Sequence, residues 1–246
     1  MKLTVLASGS SGNSYLLSNE NECLIIELGI HFQKIKKALN FRLSNVVGAL
    51  CTHEHLDHSV AMKDALNAGI KVVTGKGTSD KLGIEHHNLI YIKSMQRMKI
   101  GNFEVMAFDA HHDCPEPLSF LIRHPETGLI CFITDSIYSN YTFKGLNHVI
   151  IEANYCSQII DQKVRDGLSP KFLRDRVLTA HMSLDETKNF LKANDLSQVQ
   201  NVVLVHLSNS NSHAERFQRE VQELTGKKTH IAIPGLVIEN FGLEAF

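Results

Sequence analysis

The stretch NVVGALCTHEHLDHSVAMKDALNAG (residues 45–69) decides how the chain is read. Its opening, NVVGALCT, is a short apolar run of the kind that forms a buried strand. Its closing part, HSVAMKDALNAG, has helical apolar spacing and ends at Gly69, a helix stop. Between them His53, Glu54, His55, Asp57 and His58 fall within six residues. Crowded imidazoles and carboxylates are poor core material, and a solvated surface has no use for this spacing. On an extended segment His53 and His55 project to the same side. Asp57 and His58 come where the chain turns into its helix and can face the same centre. Neutral imidazole suits zinc and neighbouring first-row ions, and a shared carboxylate can hold two ions in a hydrolytic site. The pattern is not HExxH, which needs histidines four apart on a helix.

A metal cage needs ligands from elsewhere, and five further polar signals share one position, the end of an apolar strand. They are FDAHHDCPEP (His111, His112, Asp113), CFITDS (Asp135), VIIEANY (Glu152, Asn154), LTAHMS (His181) and LVHLSNSNS (His206). Strand ends along one sheet edge can converge even when distant in sequence. Adjacent residues on a strand point opposite ways, so at most one of His111 and His112 coordinates. His86, His87, His124, His148 and His230 lack such a setting and read as surface or hydrogen-bonded histidines.

Working outward, apolar runs and helical spacings alternate along the chain in the order β-rich, α, β-rich, α. This order predicts an α/β (α+β) fold, a four-layer αββα arrangement of two mixed sheets with helices outside. No Pro/Gly-rich linker divides it, so residues 1–246 are expected to form one domain. Ser183 and Glu186 stand at capping-box spacing ahead of a helix. With 43% hydrophobic residues in 246, a substantial core can be buried. A net charge of −1 gives no global field for nucleic acid or membrane, so polyanion contacts must rest on local patches or metal. No apolar span is long enough to cross a membrane and no leader pattern is visible, so a cytoplasmic location is expected. Five cysteines without a CxxC fit reduced thiols and exclude a zinc ribbon. SGSSGNS (residues 8–14) lacks the lysine of a P-loop and reads as a turn that can line a substrate groove. KVRDGLSPKFLRDR (residues 163–176) reads as a solvated helical face, with backbone steering of nucleic acid as its second reading.

The segments LASGSSGNS, THEHLDH, HHDCPEP, ITDS, IEANY, SPKFLRDRVLTAHMS and VHLSNSN together resemble the metallo-β-lactamase-fold hydrolases. More closely they resemble the YycJ/WalJ-type branch, implicated in 5′-to-3′ DNA exonuclease activity and related to ribonuclease Z. That resemblance implies two divalent metal ions, Zn2+ or Mn2+. His53, His55 and His112 hold one, Asp57, His58 and His206 the other, and Asp135 bridges them. His112 is preferred over His111 because it precedes Asp113 in the branch pattern. Asp57 and His181 are the catalytic expectations, His181 through proton transfer, while Ser8, Asn13 and Asn154 are expected on the substrate side. DNA or a nucleotide is the implied partner, without a membrane, and homodimerisation is common in the superfamily. One departure stands out: the branch pattern Glu-x-Asn-His-Asp is EANYC here, with Tyr155 and Cys156 at the last two positions. Two other functions compete, a phosphodiesterase of cyclic nucleotides or other small phosphodiesters and a non-catalytic metal-stabilised module. The transfer-RNA-gripping arm of ribonuclease Z is not visible, so tRNA processing is not expected.

Overall fold

The computed structural model describes residues 1–243. In chain order the elements are β1 (Lys2–Ala7), β2 (Ser14–Ser18), β3 (Cys23–Ile26), α1 (Phe32–Ala38), β4 (Val46–Leu50), α2 (Leu56–Ser59), α3 (Met62–Asn67), β5 (Val72–Thr74), α4 (Lys76–Leu82), β6 (Leu89–Tyr91), β7 (Arg97–Ile100), β8 (Phe103–Asp109) and β9 (Leu118–His124). They continue as β10 (Gly128–Ile133), β11 (Leu146–Glu152), α5 (Ser157–Arg165), α6 (Lys171–Leu178), α7 (Leu184–Ala193), β12 (Asn201–Val205), α8 (Ala214–Thr225), β13 (Lys228–Ile231) and β14 (Val237–Ile238). Two compact units interleave along the chain. The first comprises residues 1–109, 114–128 and those from 232 onward, the second 110–113 and 129–231.

In the first unit the strands run β14-β1-β2-β3-β4-β5-β6 across one sheet. β1, β2 and β3 pair antiparallel through short turns, whereas β3, β4, β5 and β6 pair parallel. Parallel neighbours need long crossovers, and helices supply them here. Because helices cover the sheet, β3 is buried along its whole length, which explains its unbroken apolar sequence. Its core joins Leu16, Ile25 and Val72 to Phe32 and Ile35 of α1 and Met62 and Leu66 of α3. The last strand, β14, pairs antiparallel with β1 through Leu3↔Ile238. β7, β8 and β9 form an antiparallel run in the same unit.

The second unit has a parallel set, with β11 between β10 and β12 and β13 beyond β12. The register pairs Ile133 with Ile151 and Glu152 with Val205. Parallel strands in register finish at one edge, so the residues after β10, at the end of β11 and after β12 arrive together. α7 begins at the capped Ser183, whose hydroxyl accepts the Glu186 amide proton at 3.1 Å.

One helix expected over residues 58–69 is two. Leu28 N–H donates to the His58 carbonyl at 2.9 Å, and Ala61 N–H donates to the Leu28 carbonyl at 2.8 Å. Those long-range bonds take two groups out of the helical ladder and break it between α2 and α3. Among the described residues no helix is long and apolar enough to cross a membrane.

Candidate metal centre

In the first unit β4 ends at Leu50 and delivers residues 51–55 as a buried loop. The loop is tied down at Thr52, whose carbonyl accepts from Leu118 N–H at 3.1 Å. Thr52 Oγ1 lies 2.9 Å from His53 Nδ1 and sets that ring's orientation. His53 Nε2 then stands 3.1 Å from His55 Nδ1, the two rings nearly perpendicular at 83°. Two imidazole nitrogens bound to one tetrahedral zinc stand about 3.3 Å apart, given bonds of about 2.0 Å. The pair therefore meets the spacing a shared ion requires.

Asp57, in the first turn of α2, is partly exposed and His58 beside it is fully buried. His58 Nε2 lies 3.5 Å from Asp57 Oδ2, and its Nδ1 lies 3.4 Å from Glu27 Oε2. Glu27 is itself fully buried and sits at φ 66°, a backbone conformation that non-glycine residues rarely adopt. A carboxylate behind an imidazole fixes its tautomer and raises its basicity toward a cation.

The second unit holds the other expected ligands. His112 Nδ1 lies 2.7 Å from the Ala180 carbonyl, so that nitrogen donates and Nε2 keeps its lone pair. Nε2 points toward Asp135, 3.7 Å from Oδ2. His111 turns its ring elsewhere and stacks on Tyr138 at 4.2 Å. Asp135 and His206 both have positive φ, 45° and 54°. Asp135 Oδ1 accepts from Thr134 Oγ1 at 3.1 Å and lies 3.3 Å from His206 Nδ1.

Glu152 links these groups. One oxygen accepts the Ser136 and Met182 amide protons, both at 3.1 Å. The other lies 2.8 Å from His181 Nδ1 and 3.2 Å from His206 Nδ1. Asp135, Glu152, His181 and His206 each present a donor atom within 4.8 Å of the others. Two buried carboxylates in one cluster are stable only beside positive charge. Burial pushes the Glu152 carboxyl up and Asp135 adds to this, yet His181 and the imidazole hydrogen bonds hold it below the ordinary value. Burial likewise pushes the His181 imidazole down, but the facing Glu152 and Asp135 carboxylates raise its pKa overall. In both units, imidazole nitrogens and carboxylate oxygens form donor sets of the type that holds divalent cations.

The three residues expected on the substrate side are engaged within the fold. Asn13 is fully buried, accepting from Gly9 N–H at 2.9 Å and contacting His58 Nε2 through Nδ2 at 3.1 Å. Asn154 is 5% exposed, and its Nδ2 donates to the His206 carbonyl at 2.8 Å. Ser8 Oγ lies 2.8 Å from the Tyr15 hydroxyl. The contacts of Asn13 and Asn154 tie down the segments that carry Asp57, His58 and His206. The EANYC departure is also structural in its contacts. Tyr155 and Cys156 are both buried, and the Tyr155 carbonyl accepts from Leu184 N–H at 2.8 Å. Sequence reasoning misses Glu27 and finds Glu152 only by its position at a strand end. Both carry the same triplet signal, a buried strand closing on Ile-Ile-Glu.

The architecture, two mixed β-sheets with helices, is the metallo-β-lactamase fold. Residues 7–94 match the metallo-beta-lactamase superfamily. Over 243 residues the chain is 25% identical to exodeoxyribonuclease YycJ of Bacillus anthracis, covering 93% of this chain and 90% of that protein. Among solved structures it is similar to the metallo-beta-lactamase fold protein YhfI from Bacillus subtilis, with a TM-score of 0.71 and 15% identity. That match covers 97% of this chain and 99% of YhfI. Human tRNase Z, short form, matches over 100% of both chains with a TM-score of 0.65 and 17% identity.

Proposed function

We propose that residues 1–246 act as one metallo-β-lactamase-like domain whose two donor sets join in a dinuclear centre. Its reaction is the hydrolysis of phosphodiester bonds, and its substrate is DNA, degraded from the 5′ end. His53, His55 and His112 would hold one ion and Asp57, His58 and His206 the second, with Asp135 serving both. When bound, two Zn2+ or Mn2+ ions supply hydroxide near neutral pH and positive charge against the phosphate oxygens. The reading is carried by a complete donor set in a chain similar over nearly its full length to an exodeoxyribonuclease.

The chain's own residues account for the proton. His181 is held by Glu152 at Nδ1, which leaves Nε2 free to face a leaving oxygen. The raised pKa keeps this imidazole protonated further into the neutral range, the state a general acid requires. Glu152 is fully buried and anchored by two backbone amides, so its charge stays fixed as His181 cycles.

The test incubates the protein with DNA labelled at either end and with cyclic nucleotides, in Mn2+, in Zn2+ and in chelator. Metal-dependent release of mononucleotides beginning at the 5′ end supports the reading. Turnover of cyclic nucleotides alone replaces DNA with a small phosphodiester. No turnover of any phosphodiester by metal-loaded protein overturns the enzymatic reading. His181→Ala is expected to lower the rate by about 100-fold or more with unchanged metal content.

A further inference from the structure

The first unit contains a cleft of about 240 Å³ lined by Ser10, Ser11, Gly29, Ile30, His31, Lys34, Leu56, Asp57 and Val60. We propose that it is a pocket for the terminal phosphomonoester of a nucleotide chain end. This rests on the proposed hydrolase function, because Asp57, a proposed metal ligand, forms part of its lining.

The floor of the cleft is held rigidly. Asn13 N–H donates to the Asp57 carbonyl at 2.8 Å, and Asn13 Nδ2 also reaches that carbonyl at 3.2 Å. A Cβ on Gly29 would lie 1.7 Å from the Asp57 carbonyl oxygen, so only glycine permits this approach. The turn SGSSGN is thus fastened to the segment carrying Asp57 and His58, and its tip residues Ser10 and Ser11 are left exposed. A loop anchored at its base with two hydroxyls at its tip can donate to phosphate oxygens without ordering cost at binding.

The charged lining suits an anion. Lys34 is exposed, and no ion pair engages its ammonium among the described residues. His31 stands on the same side of the chain, one helical turn earlier. The lone acid in the lining is Asp57, whose charge a bound cation offsets. The remaining walls are apolar. Leu56 is 69% exposed and Val60 41% exposed, a lip suited to a sugar or base and poorly suited to water.

Size narrows the ligand. A cleft of about 240 Å³ takes a phosphate with part of its nucleoside. With Lys34, His31 and two serine hydroxyls beside an apolar lip, the match among anions is a monophosphorylated nucleoside. In a polynucleotide this occurs only at an end, which gives the enzyme a way to select termini.

Two measurements test the pocket apart from catalysis. Titration calorimetry of dAMP and of deoxyadenosine into metal-loaded protein is expected to show binding of dAMP alone. Lys34→Glu should weaken it about tenfold or more, the loss of one charge-assisted phosphate contact. Ser11→Glu, which places a carboxylate at the loop tip, should do the same. Wild-type protein should degrade 5′-phosphorylated DNA at least about tenfold faster than 5′-hydroxyl DNA, and Lys34→Glu should shrink that ratio. Equal rates on both ends, or dAMP binding indifferent to both variants, overturns the pocket. Wild-type hydrolysis of bis(p-nitrophenyl) phosphate, which has no terminal monoester, tests the hydrolase function by itself. Failure there and on DNA with metal bound refutes the hydrolase. Success there with no end preference refutes only the pocket.

Discussion

Replacing Glu152 by Gln keeps the side chain's shape and removes its charge, and the surrounding donors decide how the new amide settles. Two backbone amides, Ser136 and Met182, point at the same oxygen, so the glutamine must place its carbonyl there. Its NH2 group then faces His181 Nδ1 and His206 Nδ1, where the native carboxylate accepted. Both imidazoles are driven to accept at Nδ1 and carry their proton on Nε2. Hydrogen bonds to a charged acceptor contribute about 1.5–3 kcal/mol each and neutral ones about 1 kcal/mol. With four such contacts weakened or inverted at a fully buried site, about 3 kcal/mol of folding stability is lost. Turnover should fall by about 100-fold or more, since the acid loses both its orientation and its raised pKa. Metal affinity should fall about 10- to 100-fold through His206. The assay is hydrolysis of bis(p-nitrophenyl) phosphate at saturating Mn2+, with thermal denaturation and metal content measured on the same preparations. Wild-type turnover together with wild-type melting would refute the role given to Glu152.

Gly29→Ala places a Cβ 1.7 Å from the Asp57 carbonyl oxygen and 2.7 Å from the Asn13 amide nitrogen, both backbone atoms. Relief requires backbone movement, so the cost should exceed about 3 kcal/mol and lower the melting temperature by at least about 6 °C. An unchanged melt would show that the turn does not pack on Asp57 as described. Glu22 provides the pH-dependent case. Burial pushes its carboxyl up, but the backbone and side chain of Asn102 and the facing His124 hold it below the ordinary value. A folded pKa below the unfolded one, about 4.3, gives stability that is complete above that pH and disappears as pH falls through the folded value. Glu22→Gln should therefore cost about 1–2 kcal/mol at pH 7 in urea denaturation and progressively less below about pH 4. A difference unchanged from pH 7 to pH 3 would count against this network.

Strands buried on both faces are the easiest elements to read, because CLII and VIIE keep an unbroken apolar run wherever the sheet is covered. The convergence of strand-end polar groups within the second unit comes from parallel register, and the sequence displays the strands that produce it. Long-range hydrogen bonds leave no such trace. The split between α2 and α3 depends on Leu28, and the tautomer of His112 depends on Ala180, 68 residues away. Backbone conformation is hidden as well. Glu27, Asp135 and His206 all adopt positive φ, a state that their residue types do not advertise. The turn around Asn13 looks like a cradle in sequence, which does not display the bonds its side chain makes to Gly9 and to the Asp57 carbonyl.

The pairing of β14 with β1 bears on how the molecule is made. Leu3 is synthesised long before Ile238, and these two residues pair. During the interval the flank of β1 is an unfilled template for any extended segment that drifts past. Completion of the first sheet therefore waits for Val237 and Ile238, and nascent chains stalled before them are the species most exposed to clumping.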